Sequence, residues 1–453
     1  MIEHVIIDKN AFSPQLLLPG QFGLVIGQYD SDTDIRVLLH CATPDRAAGD
    51  ASASPQKQDK FAAKQQQQTA GLPLLDSEWI GRHAENVSRS LPGGLDIVGL
   101  FLCSQKASAS DEQVAQFKTA LGRVHEFTGT SKLTKDKICS QKIILLVSSD
   151  ANDISCLATD AANPVGGTSR ISRCEQSTKQ AWLCVTSRFT LNSRFAVSAQ
   201  SAANNNLTDQ LHSALQPAVE RALDFSPLYE GAALPDSPPL PFDCGVGGDS
   251  AAASFSEPVF VELLQKSEQE IPYAKEIPAG SKRLEVTGCF PLFALIRSGS
   301  SGLDVSRALK SDLIRGLDAR LYLAAQELSI SSGLFVEGKS PALRLPRRVL
   351  VRHPRCPQAV LSDYSFPGET SQDVLDRLAY FFSTDLSPED VNFGPEAESN
   401  SAASSPDDMS ADEAEMMMEG VDRVVNTKVP LYYVFGLAVA FLAALVAVLI
   451  YKS

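Results

Sequence analysis

Along the chain, the spacing of apolar positions changes period several times, and each change marks an element. FGLVIGQYDSDTDIRVLLHCATP, residues 22–44, places β-branched and aromatic residues on both sides of a polar turn at 30–34, which predicts a β-hairpin. Trp79, His83, Val87 and Leu91 then recur every four residues. Asp76 or Ser77 can cap the start of that run and Gly93 follows its end, so a helix with one apolar stripe is predicted. LPGGLDIVGLFLCSQ, residues 91–105, passes from a Pro-Gly-Gly turn into an unbroken apolar run, the pattern of a buried strand. A second helix is predicted over 112–127, a buried strand over 142–149, strands near 181–199 and a helix near 207–222.

FSPLYEGAALPDSPPLPFDCGVGG, rich in proline and glycine, reads as a linker over 225–250. Beyond it VTGCFPLFALIR has the pattern of a strand, and Leu309, Leu313, Leu317 and Leu321 line one helix face. RRVLVRHP and QAVLSDYSF predict a hairpin, followed by a helix over 371–382. The predicted class is α+β throughout: a first domain over 1–224 with an exposed Ala, Ser and Gln-rich insertion at 45–70, and a smaller second domain over 251–384.

Two further segments change this picture. Residues 385–422 hold twelve Asp and Glu and no Lys or Arg, so 385–428 reads as a disordered acidic tether. From Val429 to Tyr451 there is no charge, and at 1.5 Å rise per residue this length crosses a ~30 Å hydrocarbon core. Lys428 and Lys452 bracket the run, and Tyr432, Tyr433 and Tyr451 lie where amphipathic rings favour the interface. A tail anchor with the other domains on the cytosolic side is expected. The opening MIEHVIIDKN has charges breaking its apolar run, unlike a secretory signal.

A formal net charge of -14 argues against a nucleic-acid partner, which would need basic surface to displace counterions. Nine cysteines show no C-x-x-C pair, so neither a zinc knuckle nor a disulfide framework is suggested, and reduced cytosolic thiols are expected. Asp243-Cys244-Gly245 has a superficial likeness to a cysteine nucleophile, but it lies in the predicted linker with no helix start to lower its pKa. Arg344, Arg347, Arg348, Arg352, His353 and Arg355 crowd the later hairpin. Arginines here can be a solvated edge that discourages strand pairing, or Arg347, Arg348, Arg352 and Arg355 can form a docking face for an acidic partner or lipid headgroups.

Glu78, Trp79, His83, Ala84, Val87, Ser88, Arg89, Leu91, Pro92, Gly93, Gly94 and Leu95 stand in a segment that resembles the most recognisable motif of the odr-4-like family (odorant response abnormal protein four). RVLVRHP with LSDYSF, and GLVIGQ near the N-terminus, extend the resemblance over both predicted domains. It implies a first domain similar to the MPN fold, whose active members are zinc-dependent isopeptidases carrying two histidines at i and i+2 on one strand. Here those two positions are Leu102 and Ser104, and the place of the water-polarising carboxylate is Gly20. None of the six histidines lies within two residues of another. The expectation is therefore a catalytically inactive, MPN-like domain with no cofactor and no metal.

By the same resemblance the chain is expected to be a non-catalytic, tail-anchored adaptor of the endoplasmic reticulum, a partner of a UFM-specific cysteine protease and a factor in trafficking of seven-helix receptors. Two rival readings are a zinc metallo-isopeptidase and a tail-anchored trafficking factor that acts without any protease.

Overall fold

The computed structural model describes residues 2–12, 17–31, 33–44, 75–129, 139–177, 182–198, 207–242, 258–265, 281–331, 345–354, 356–366 and 369–392. By its internal contacts the chain divides into Met1–Ser399 and Asn400–Ser453, and every described residue belongs to the first unit. The expected tether beyond 392 and the expected span at 429–451 lie outside the described residues, as do the insertion at 45–70 and Asp243-Cys244-Gly245. No helix among the described residues is long and apolar enough to cross a membrane.

The sequence begins with β1 (His4–Asp8), then the predicted hairpin β2 (Phe22–Tyr29) and β3 (Asp34–Ala42). Helix α1 (Ser77–Ser90) leads through a turn into β4 (Asp96–Ser104), and α2 (Asp111–Thr128) leads into β5 (Gln141–Ser148). Three strands follow: β6 (Ile154–Asp160), β7 (Ser169–Arg170) and β8 (Arg173–Ser177). These eight strands form one mixed sheet in the order β7-β6-β5-β4-β2-β3-β1-β8. Its apolar strands explain the mixture, because β4 and β5 are parallel and buried on both faces while β2, β3 and β4 run antiparallel. One face packs Leu24, Ile26, Leu100 and Leu102 against Ile80 and Val87 of α1 and Phe117 and Val124 of α2. The other packs Val25, Phe101 and Val147 against Val5, Ile7 and Phe12.

Strand β1 was not among the predicted elements. Its five residues are too short and too charged at the ends to declare themselves, and they are ordered by parallel pairing with β3 and β8.

The later elements do not make a separate domain. Strand β9 (Trp182–Ser198) runs antiparallel to β14 (Ser281–Arg297) over the whole length of both, from Trp182 opposite Arg297 to Ser198 opposite Ser281. This ladder joins residues expected on opposite sides of the 225–250 linker. That linker itself contains β10 (Phe225–Tyr229) and β11 (Ala232–Ala233), an antiparallel pair extended by β13 (Glu262–Gln265), while the short β12 (Val259–Phe260) lies beside β9.

Helix α3 (Leu207–Ala222) and the long α4 (Gly302–Ser331) cover the β9–β14 ladder, with Leu309, Leu313, Leu317 and Leu321 all buried as their spacing predicts. Strands β15 (Arg347–His353), β16 (Cys356–Ser365) and β17 (Val391–Asn392) form a small sheet, and α5 (Ser371–Phe382) follows β16. Val349, Val351, Leu361, Leu378 and Phe382 from this last part are in the same hydrophobic cluster as Ile80, Leu100 and Phe117. The two expected domains over 1–224 and 251–384 therefore fall within one unit with a shared core.

Candidate functional site at the Pro92–Gly94 turn

The turn between α1 and β4 gathers the motif residues at the centre of the molecule. Asp76 caps α1, its Oδ1 accepting from the backbone N–H of Trp79 at 3.1 Å, and the helix ends at Ser90 with Leu91 already extended. Gly93 then bridges to β14 as if it were a strand residue: its N–H donates to the Phe293 carbonyl at 2.9 Å, and its carbonyl accepts from Leu295 at 2.8 Å. A Cβ on Gly93 would come within 2.0 Å of the Ala308 carbonyl oxygen on α4. Gly94 has φ +87°, and a Cβ there would meet the Leu295 carbonyl at 2.3 Å. The first glycine is needed for close approach and the second for its conformation as well.

Around this turn the polar groups are buried and paired. Asp312 of α4 accepts from the N–H groups of Gly93 at 3.1 Å and Phe293 at 2.9 Å. Its two oxygens also take a bidentate pair of bonds from Arg348 of β15, at 2.7 and 2.8 Å, with both side chains almost wholly out of water. Arg348 donates further to the Ser362 hydroxyl at 3.1 Å, and that hydroxyl donates to the Ser90 carbonyl at the end of α1 at 3.3 Å. One turn along α4, Arg315 donates to the carbonyls of Leu95 at 2.6 Å and Pro92 at 3.3 Å and pairs with Asp96. Below it the Lys142 ammonium, fully buried, donates to the Ile97 carbonyl at 2.7 Å and to the Tyr29 hydroxyl at 3.0 Å. Burial pushes the Lys142 pKa down and the Tyr29 pKa up, since both charged forms lose water there.

The remaining motif side chains also turn inward or along their own helix. His83 is held between the Phe381 carbonyl, which accepts from Nε2 at 2.7 Å, and the Thr43 hydroxyl, 3.3 Å from Nδ1. Burial lowers its pKa to about 4, so at neutral pH the ring is uncharged, with its proton on Nε2. Trp79 donates its indole N–H to the Pro44 carbonyl at 2.8 Å. Arg89 pairs with Glu85 at 2.6 Å and stacks over the Tyr322 ring at 4.2 Å, while Glu78 pairs with Arg82 on the exposed face.

Of Leu102 and Ser104, the two positions that the resemblance to the MPN fold led us to expect in place of zinc ligands, Leu102 is fully buried in the core beside Leu100. The Ser104 hydroxyl donates to the Ser108 carbonyl at 3.1 Å and accepts the Ser108 N–H at 3.3 Å, closing a local turn. Gly20, with φ +87°, donates its N–H to the Cys103 carbonyl at 2.9 Å. The described residues contain no group of three His, Cys, Asp or Glu side chains placed to hold a metal ion.

The expected arginine face is divided. Arg348 is 2% exposed and committed to Asp312, Arg347 is half-buried, Arg352 is exposed, and Arg355 lies outside the described residues. Neighbouring residues of a strand face opposite sides, so Arg347 and Arg348 cannot share one docking surface. Asp312 and Arg315 were not singled out from the sequence, although Asp312 sits three residues after Leu309 and one before Leu313. An acid on an otherwise apolar stripe is the signal of a buried, partnered carboxylate.

Fold and site together define a mixed α+β protein with a curled sheet, tied at its centre by a glycine turn and a buried ion pair. The family profile described as ODR4-like, "Odorant response abnormal 4-like", matches residues 23–393, and the chain belongs to that family. It is 26% identical over 440 residues to the "Protein odr-4 homolog" of Mus musculus, covering 93% of this chain and 92% of that protein. It is 24% identical to the Homo sapiens "Protein odr-4 homolog" over 84% of this chain and 82% of that protein. With the Caenorhabditis elegans "Odorant response abnormal protein 4" the identity is 23%, over 86% of this chain and 77% of that protein. Among solved structures, "Crystal structure of UfSP from C.elegans" aligns with TM-score 0.41 and 12% identity, over 84% of this chain and 57% of that one.

Proposed function

We propose that this chain is a non-catalytic adaptor whose unit Met1–Ser399 binds protein partners while the apolar run Val429–Tyr451 holds it in a membrane. The observation that carries the reading is at β4. Leu102 is packed in the core and Ser104 is closed on Ser108, so both positions serve the fold rather than a reaction centre. The motif residues Trp79, His83, Arg89 and Gly93 support it in the same sense, each engaged by another part of the same molecule.

In this reading the membrane is that of the endoplasmic reticulum, with the folded unit on the cytosolic side. The partners are a UFM-specific cysteine protease and membrane clients of the seven-helix receptor class. The physical benefit is effective concentration: a partner held near its membrane-bound substrates meets them far more often than one free in solution. Incubating the purified full chain with a modifier conjugate, with and without added zinc, tests the non-catalytic half. Intact conjugate and no stoichiometric zinc on elemental analysis are expected; zinc-dependent cleavage by the chain alone would overturn the proposal in favour of a metallo-isopeptidase.

A further inference from the structure

We infer that two copies of this chain meet through the outer face of the β12–β13 segment, around Phe260 and Leu264, with Glu262 of each copy paired to Arg188 of the other. Residues 258–265 run as one extended segment that changes neighbours midway. Val259 and Phe260 pair in parallel with Val185 and Thr186 of β9, and Glu262–Gln265 then pair antiparallel with β10. Successive side chains of an extended segment point to opposite faces, and the burial follows that alternation: Val261 is wholly buried, while Phe260, Glu262 and Leu264 are exposed.

The inner face belongs to the core, where Val261 lies in one cluster with Phe189 of β9, Leu211 of α3 and Leu309 of α4. A solvated outer face would carry polar side chains, yet Phe260 is 50% and Leu264 54% exposed there. Cross-strand neighbours extend the apolar character, since Leu228 of β10 lies opposite Glu262 and the exposed Ala233 of β11 lies opposite Leu228. Apolar side chains grouped on an exposed sheet face mark an interaction surface.

The charges on this face decide what covers it. Glu262 stands between Phe260 and Leu264, and Arg188 lies two residues beyond Thr186 on the same face of β9, also exposed. Neither makes an ion pair or side-chain hydrogen bond among the described residues. A partner surface of one sign would satisfy one of these charges and repel the other. A second copy satisfies both. A two-fold axis running between β9 and the β12–β13 segment exchanges the two strands, so that the Glu262–Arg188 pair forms twice and the Phe260 and Leu264 side chains of both copies leave water. Such a contact uses the same patch on both copies and closes on a dimer instead of propagating.

Sedimentation velocity of the full chain in detergent micelles, over a range of protein concentrations, tests this. A reversible monomer–dimer equilibrium is expected. Glu262→Arg and Arg188→Glu each place two like-charged pairs in the contact and are expected to weaken dimerisation about tenfold or more, while the double variant, which exchanges the pair, returns it to within about threefold of the parent. Leu264→Ser leaves both charges in place and is expected to weaken it as well. Restoration by exchange separates this contact from any association of the apolar run at 429–451, which neither charge belongs to. The proposal is overturned if the parent is monomeric at every concentration, a readout that needs no variant. It is equally overturned if the single reversals leave the dimer unchanged, or if the double variant dimerises no better than either single one.

Discussion

Gly93 shows how a sequence motif can be a packing constraint. Its backbone is the rung that connects the α1–β4 turn to β14, and the Ala308 carbonyl occupies the space where a side chain would begin. Gly93→Ala is therefore expected to cost about 3 kcal/mol or more, because the clash is with backbone and neither partner can rotate away. Urea denaturation of the two proteins measures it; a loss below about 1 kcal/mol would mean that α4 can move off the turn. His83 gives a second test at this scale. Its folded-state pKa of about 4 is below the ordinary 6.5, so between these values the unfolded chain binds the extra proton. The contribution is full above pH 6.5 and is lost as pH falls toward 4, up to about 3 kcal/mol by linkage. His83→Gln keeps an N–H for the Phe381 carbonyl but does not titrate, so unfolding free energies measured from pH 7 to pH 4.5 should fall less steeply in the variant than in the parent. Parallel curves would remove His83 from the acid sensitivity. The glycines and His83 were visible in the sequence as a motif, but the reason for them was not, because Ala308, Asp312 and Phe381 reach them from more than two hundred residues away.

At the scale of elements, local pattern was a good guide to what each segment becomes and a poor one to what it joins. The α1 stripe, the α2 and α5 helices, the β2–β3 and β15–β16 hairpins and the leucine face of α4 all appear where periodicity places them. The proline-rich stretch after Phe225 has the composition of a linker yet forms β10 and β11, with Pro227 of the central β10 opposite Leu263 of β13 and its carbonyl accepting the Leu234 N–H. The β9–β14 ladder could not be read at all: pairing between strands that end at Ser198 and begin again at Ser281 leaves no mark on either strand alone. It carries a consequence for dissection. A fragment of residues 1–224 strips β9 of its long partner and removes Val349, Val351, Leu378 and Phe382 from the shared core. Circular dichroism and size exclusion are expected to show it non-native or aggregated, with recovery on co-expression of residues 225–399. A monomeric fragment with a cooperative transition of its own would reinstate two domains.

For the whole molecule, a buried Asp312–Arg348 pair ties α1, α4, β14 and β15 together at one point. Such a pair contributes little net stability over apolar packing, but removing one partner strands a charge in the interior. The apolar segment at 429–451, expected to span a membrane from its length and absence of charge, lies outside the described residues. The arginines that suggested a docking face are split between core and surface by the alternation of β15.

Recruitment to a membrane is the claim on which the proposed function rests. Vesicle flotation of the UFM-specific cysteine protease, mixed either with the full chain reconstituted into vesicles or with a form ending at Lys428, measures it directly. The protease should float with the full chain and stay at the bottom with the shortened form while still binding it in solution. Flotation independent of residues 429–453, or no binding to either form, would contradict it.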